Sequence, residues 1–240
     1  MNIINSIEFF AIRKWSQAAL LALILVTLLA SFSAQAQLRY DTEYPVIGYG
    51  EQQADNRFTR LMQKLTAEGR TLQYDAVGRG YLDSLLQALD IDHSSQVLVW
   101  SKTSLKQRYI NPENPRSLFF SDDVYVGFVP GSSSLEVGVM DAALGPVFYD
   151  FFQNPDADES FKFETTRCLR CHDSYSMSGG GVPRFLLSSV LAGSDGNIVS
   201  HEMSEITDTA TPLRRRWGGW YVTGTHGEQE TMANYIVKNV

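Results

Sequence analysis

The stretch from residue 97 to residue 165 constrains the fold most, because short runs of β-forming residues alternate there with turn residues. Runs rich in valine, phenylalanine and tyrosine are typical of strands, and the glycine and proline pairs between them favour tight turns. Strands joined by tight turns pair antiparallel. We therefore predict an antiparallel meander, with strands at residues 97–100, 118–120, 124–129, 135–139, 147–152 and 161–165.

Two amphipathic helices are predicted before this sheet. Apolar residues from Phe58 to Leu65 recur at i, i+3, i+4 and i+7, with Asp55 as the predicted N-cap and Gly69 as the end. A second stripe of leucines predicts a short helix at residues 82–89.

The chain after residue 183 is also predicted to be mainly strand, at residues 184–191 and 217–223, with a hairpin at residues 193–196 leading into 198–199. The predicted fold class is α+β, with short N-terminal helices followed by a mainly antiparallel sheet in a single domain at residues 37–240.

Residues 168–172 form a C-x-x-C-H motif. Thiols three positions apart lie about one helical turn from each other, so both can form thioethers with the vinyl groups of one porphyrin. The adjacent His172 then offers an imidazole nitrogen to the iron. The motif predicts covalent attachment of one haem c through Cys168, Cys171 and His172. Because about 130 residues of mostly strand-like texture precede the motif in the predicted mature chain, the small all-helical cytochrome c fold is a poor match.

Three other interpretations of this motif stay open. A zinc site would need two further ligands from the four histidines or from carboxylates. A thioredoxin-like site would need a preceding strand and a long following helix, whereas a glycine-rich loop follows here. A structural disulfide would give the adjacent histidine no role.

The N-terminus predicts export. Arg13 and Lys14 precede an apolar stretch at residues 18–30, and Ala34 and Ala36 form a small-x-small cleavage signal. We predict a signal peptide at residues 1–36, a periplasmic location and no membrane span in the mature chain. An uncleaved anchor is the alternative, since flanking aromatic residues would lengthen the apolar stretch.

The net charge limits the classes of partner, and the cysteine content limits the possible disulfides. The net charge of -7 argues against nucleic acid and anionic lipid as partners and is compatible with a basic redox protein. Both cysteines belong to the motif, so a haem-bound chain would have no disulfide. Oligomeric state is not readable from these features.

The second axial position of the iron has several candidates. His226 is the first choice as iron ligand beside His172, followed by His201 and then Met177 or Met203. An iron with an open position is the alternative. Arginines are candidate partners of the haem propionates, because a guanidinium pairs with a carboxylate through two hydrogen bonds; they are Arg184, Arg214, Arg215 and Arg216.

Several separate strings together resemble a family of exported bacterial monohaem cytochrome-c-like proteins of uncharacterised function. They are SQVLVWSKTSL at 95–105, NPENPR at 111–116, DDVYVG at 122–127, the C-x-x-C-H motif and RWGGWYVTGTHG at 216–227. The resemblance implies one covalent haem in each chain and no established substrate.

Two departures accompany this resemblance. Family members often carry a histidine shortly before the Trp-Gly-Gly-Trp string, where this chain has residues 208–211, Asp-Thr-Ala-Thr. Family chains also continue well past the Thr-His-Gly string, so the resemblance predicts a domain truncated at its C-terminus.

The leading functional prediction is a periplasmic c-type cytochrome that transfers electrons. Two alternatives are kept: a peroxidase-like haem enzyme with an open iron site, and a haem-based sensor or ligand-binding module.

Overall fold

A seven-stranded sheet, antiparallel throughout, forms the centre of the computed structural model, which describes residues 47–157, 160–179 and 181–238. The predicted α+β class and antiparallel meander are confirmed, and the fold is not all-helical. The strands are β1 Val97–Val99, β2 Arg116–Phe120, β3 Val124–Phe128, β4 Ser134–Asp141, β5 Gly145–Phe152, β6 Phe161–Phe163 and β9 Trp220–Tyr221. Their order across the sheet is β6-β5-β4-β3-β2-β1-β9.

Two helices, α1 (Arg57–Ala67) and α2 (Leu82–Ala88), pack against one face of this sheet. The Phe58 ring lies 4.8 Å from that of Tyr149 and 6.0 Å from that of Phe151. Because side chains alternate along a strand, these β5 residues share one face, and the residues between them face the opposite side. The apolar core therefore lies between the helices and this inner face.

The predicted N-cap of α1 was wrong by one residue. Asn56 caps the helix: its side chain accepts from the Thr59 N–H at 3.2 Å, and the Thr59 hydroxyl accepts from the Asn56 N–H at 3.0 Å. This reciprocal pair satisfies two backbone donors. Asp55 instead pairs with Arg60 at 2.9 Å.

A smaller two-stranded sheet follows, formed by β7 (Ser188–Ala192) and β8 (Ile198–Ile206). It packs on the fully buried Trp100. Strand β7 begins four residues later than predicted, and β8 is longer. The strand predicted at 217–223 shrinks to β9, because Trp217 has φ +69° and the backbone turns there.

Three 3-10 helices connect elements within the part of the chain that the structure describes, at His93–Ser95, Gln107–Tyr109 and Leu213–Arg215. No helix of the described residues is long and apolar enough to cross a membrane. These residues belong to one compact unit, Tyr40–Val240. The predicted signal peptide lies outside the described residues.

Candidate functional site

The C-x-x-C-H motif folds into a single helical turn, α3 (Leu169–His172), with Cys168 at its N-terminal end. The His172 N–H donates to the Cys168 carbonyl at 3.1 Å. Leu169 is 1% exposed and packs into the core. Just before the turn, the Glu164 N–H donates to the Phe148 carbonyl at 2.9 Å, which joins the incoming chain to β5. The turn is thus held by the sheet on one side and by the core on the other.

The two thiols differ in environment, and both are free. Cys171 is exposed, whereas Cys168 is partly buried against the core. Burial, together with the negative charges of Glu136 and Glu164, raises the pKa of Cys168 to about 12. Cys168 is therefore a neutral thiol at physiological pH. Thioredoxin-like redox cysteines need a lowered pKa, so this environment and the short helix both argue against that alternative.

The His172 imidazole is oriented by a backbone group and by an aromatic ring. Its Nδ1 lies 2.7 Å from the Arg184 carbonyl oxygen, and its ring centroid lies 4.2 Å from that of Phe148. Because a carbonyl can only accept, Nδ1 carries the proton and Nε2 carries the lone pair. Burial lowers the pKa of His172, although the bond to Arg184 opposes this effect. A neutral imidazole with one nitrogen donating to a carbonyl is the usual state of a histidine metal ligand.

These residues fit a c-type haem. One turn presents two free thiols and a neutral imidazole whose second nitrogen is already bonded. A zinc site fits less well: within the described ranges, no further histidine, cysteine, aspartate or glutamate side chains join the motif in a group that could hold a metal ion. A tetrahedral zinc ion with four protein ligands has no ready ligand set there.

A charged network lies beside the motif on the outer face of the sheet. Asp150 on β5 accepts from Lys106 at 2.9 Å, from Ser134 at 2.8 Å and from Arg167 at 3.1 Å. Burial opposes ionisation of Asp150, but its hydrogen bonds and the charges of Lys106 and Arg167 hold its pKa below the usual value. Arg167 directly precedes Cys168, so the network attaches the motif to the sheet.

Sequence reasoning missed this network. The alternation of β4 and β5 places Glu136 and Asp150 on the same face, but no spacing rule connects them to Lys106 or Arg167. Glu136 pairs with Arg116 at 2.8 Å and accepts from Ser104 at 2.8 Å.

The candidates for the second axial position lie in different places. His226 is exposed and lines a surface hollow of about 610 Å³ together with Met203 and Arg214, and the lining of this hollow includes no residue of the motif. His201 is exposed on β8. Met177 is exposed on α4 (Tyr175–Ser178), the turn that follows the motif.

The four candidate arginines also make different contacts. Arg216 donates to the backbone carbonyls of Thr211 and Asp208, and Arg215 pairs with Glu205 at 3.0 Å. Arg184 is exposed, and its N–H donates to the His172 carbonyl at 2.9 Å. Of the four predicted arginines, Arg184 has its backbone bonded directly to the motif.

No protein-family model, curated protein or solved structure matches this chain. The resemblance to exported cytochrome-c-like proteins stays a prediction.

Proposed function

We propose that this protein is a periplasmic c-type cytochrome that carries one haem c and transfers electrons. Cys168 and Cys171 would form the two thioethers, and His172 would be the proximal iron ligand. The observation that carries the proposal is the hydrogen bond from His172 Nδ1 to the Arg184 carbonyl. This bond leaves the lone pair on Nε2, the nitrogen that would bind iron, and the same helical turn carries two free thiols.

The chain's own residues have three tasks in this proposal. Leu169 fixes the turn in the core, and the Arg184 carbonyl fixes the tautomer and orientation of His172. The carbonyl also makes the imidazole a better donor to a metal. Haem iron, when bound, would supply a reversible one-electron couple.

The charge of the chain supports a basic redox partner, because its net charge is -7 and opposite charges speed association. His226 is the proposed distal ligand. It lies in a surface hollow whose lining includes no residue of the motif. Met177 is the alternative within the turn after the motif.

The first experiment measures covalent haem. The protein is expressed with a cytochrome c maturation system, purified, and assayed as the reduced pyridine haemochrome after acid-acetone extraction. We expect one covalent haem in each chain, and none in a variant carrying both Cys168→Ala and Cys171→Ala. His172→Gln should keep the thioethers but lose the low-spin ferric spectrum, whereas the control His93→Gln, at an exposed histidine on a 3-10 helix, should keep both. A parent protein without covalent haem would refute the proposal.

A second experiment separates electron transfer from the enzyme and sensor alternatives. If two protein ligands hold the iron, carbon monoxide leaves the ferrous spectrum unchanged. His226→Ala should then allow carbon monoxide to bind, and Met177→Leu should not. Ready binding of carbon monoxide to the parent protein would contradict electron transfer with two protein ligands and favour a haem enzyme or sensor.

A further inference from the structure

The outer face of the sheet and the segment after the motif carry exposed apolar side chains. Phe120 on β2 is 40% exposed, Met140 on β4 is 46% exposed, and Val182, in the segment after the motif, is 44% exposed. Large apolar side chains grouped on a surface mark a site of contact.

Strand register connects this group to His172. Phe148, whose ring packs on His172, is paired with Gly138 on β4, and Gly138 is paired with Tyr125 on β3. Tyr125 is paired with Phe120 on β2. Paired residues lie on the same face of a sheet. The four positions therefore form one row across the outer face, three strand spacings or about 14 Å long.

Gly138 leaves room for an aromatic ring on this row. A Cβ at that position would lie 3.0 Å from the Phe185 ring, which occupies the space above the glycine. The Phe185 ring lies 4.6 Å from Tyr125 and 5.8 Å from Phe148. A series of ring contacts therefore runs from His172 through the buried Phe148 to the exposed Phe120.

Met140 and Val182 border the same surface. Met140 lies two residues beyond Gly138 on β4 and so faces the same side, about 7 Å away along the strand. Val182 lies beside the β4–β5 turn, 3.6 Å from the position of a Cβ on Gly145. We define the outer aromatic row as Phe120, Tyr125, Met140, Phe148, Val182 and Phe185.

We propose that the outer aromatic row is the surface that binds the porphyrin, with one face or edge of the macrocycle lying on it. The inference deepens the proposed function and depends on it. An aromatic macrocycle suits this surface because the surface is apolar and rich in aromatic rings, and because the row begins at Phe148, whose ring packs on the histidine proposed to bind the iron. The burial of Phe120, Met140 and Val182 would then contribute to holding the group in addition to the thioethers.

The test uses the haem-loaded protein with methionine labelled by ¹³C at the ε-methyl. We expect the Met140 methyl signal to shift between the ferric and ferrous states, because a paramagnetic iron perturbs nearby nuclei. The Met62 signal should not shift comparably, since Met62 lies on α1, on the inner face of the sheet. Signals are assigned with Met140→Leu and Met62→Leu.

A charge substitution gives a second readout. Met140→Glu places a carboxylate at an exposed position, so the fold should tolerate it, and a negative charge beside the iron should lower the midpoint potential. The control Val77→Glu, at a 99% exposed position in the turn between Asp75 and Gly80, should leave the potential unchanged.

Each outcome decides one proposal. Absence of covalent haem would overturn the proposed function itself. If haem is present but the Met140 signal does not shift and Met140→Glu leaves the midpoint potential unchanged, only the proposal that the outer aromatic row binds the porphyrin is overturned. A protein that is dimeric by sedimentation, with Met140 buried but unaffected by the iron, would also overturn it, by showing that a second copy covers the row.

Discussion

Replacing Asp150 by asparagine tests whether the charged network attaches the motif to the sheet. The side chain of Asp150 is 8% exposed and that of Lys106 is 11% exposed, so both charges of this ion pair are largely removed from water. Asparagine keeps the shape but removes the charge, which leaves Lys106 buried without its counter-ion and Arg167 without its partner at 3.1 Å. Breaking a buried pair in this way typically costs about 3–5 kcal/mol.

Guanidinium unfolding of the haem-loaded protein, followed by far-UV circular dichroism, measures this cost. We expect Asp150→Asn to lower the free energy of unfolding by about 3 kcal/mol or more at neutral pH. Ser134→Ala removes a neutral hydroxyl that donates to the same carboxylate and accepts from Lys106, but it leaves the two charges paired, so it should cost less, about 1–2 kcal/mol. A loss below about 1 kcal/mol in Asp150→Asn would refute the reasoning, because it would mean that Lys106 reaches water easily.

The pH dependence provides an independent check. The folded-state pKa of Asp150 is held below the ordinary value of 3.8, so its contribution is complete above that value and is lost as the pH falls through the lower folded pKa. The parent protein should lose this part of its stability on acidification. Asp150→Asn should not lose this part of the stability on acidification, because it lacks the carboxylate that titrates.

Three further predictions concern the motif. Leu169→Ala removes a side chain that is 1% exposed and should cost about 2–5 kcal/mol in urea unfolding; a cost below about 1 kcal/mol would show that the turn is not anchored in the core. In haem-free protein, iodoacetamide should label the exposed Cys171 before Cys168, whose pKa is raised to about 12, and the reverse order in peptide mass spectrometry would contradict this environment. Because burial lowers the folded pKa of His172, the haem-free unfolded chain binds more protons below the ordinary value of 6.5. Stability should therefore fall as the pH drops through that region, and His172→Gln should flatten the curve measured by thermal unfolding.

The parts of the fold that depend on local pattern were predictable. Runs of β-branched and aromatic residues such as residues 124–128, separated by turn residues, predicted the strands. The stripe from Phe58 to Leu65 likewise predicted a helix. The N-cap was missed because Asp55 and Asn56 are both good capping residues, and only the hydrogen bonds with Thr59 distinguish them.

Other errors arose where a turn interrupts a strand-like composition. The aromatic residues at 217–223 have strand propensity, but the left-handed backbone of Trp217 and the close approach of Gly219 to Ser101 shorten β9 to two residues. The strand propensity of individual residues does not reflect such contacts, because the contacts join segments far apart in the chain.

The donor chemistry of the candidate site follows from spacing alone, since two thiols and an imidazole within five residues must share one helical turn. The burial and protonation of those donors do not follow from spacing. Which thiol is buried, and which imidazole nitrogen is protonated, depend on the core around Cys168 and on the backbone carbonyl of Arg184. A backbone carbonyl has no signature in side-chain sequence, and burial is a property of the packed chain, so tertiary contacts decided both.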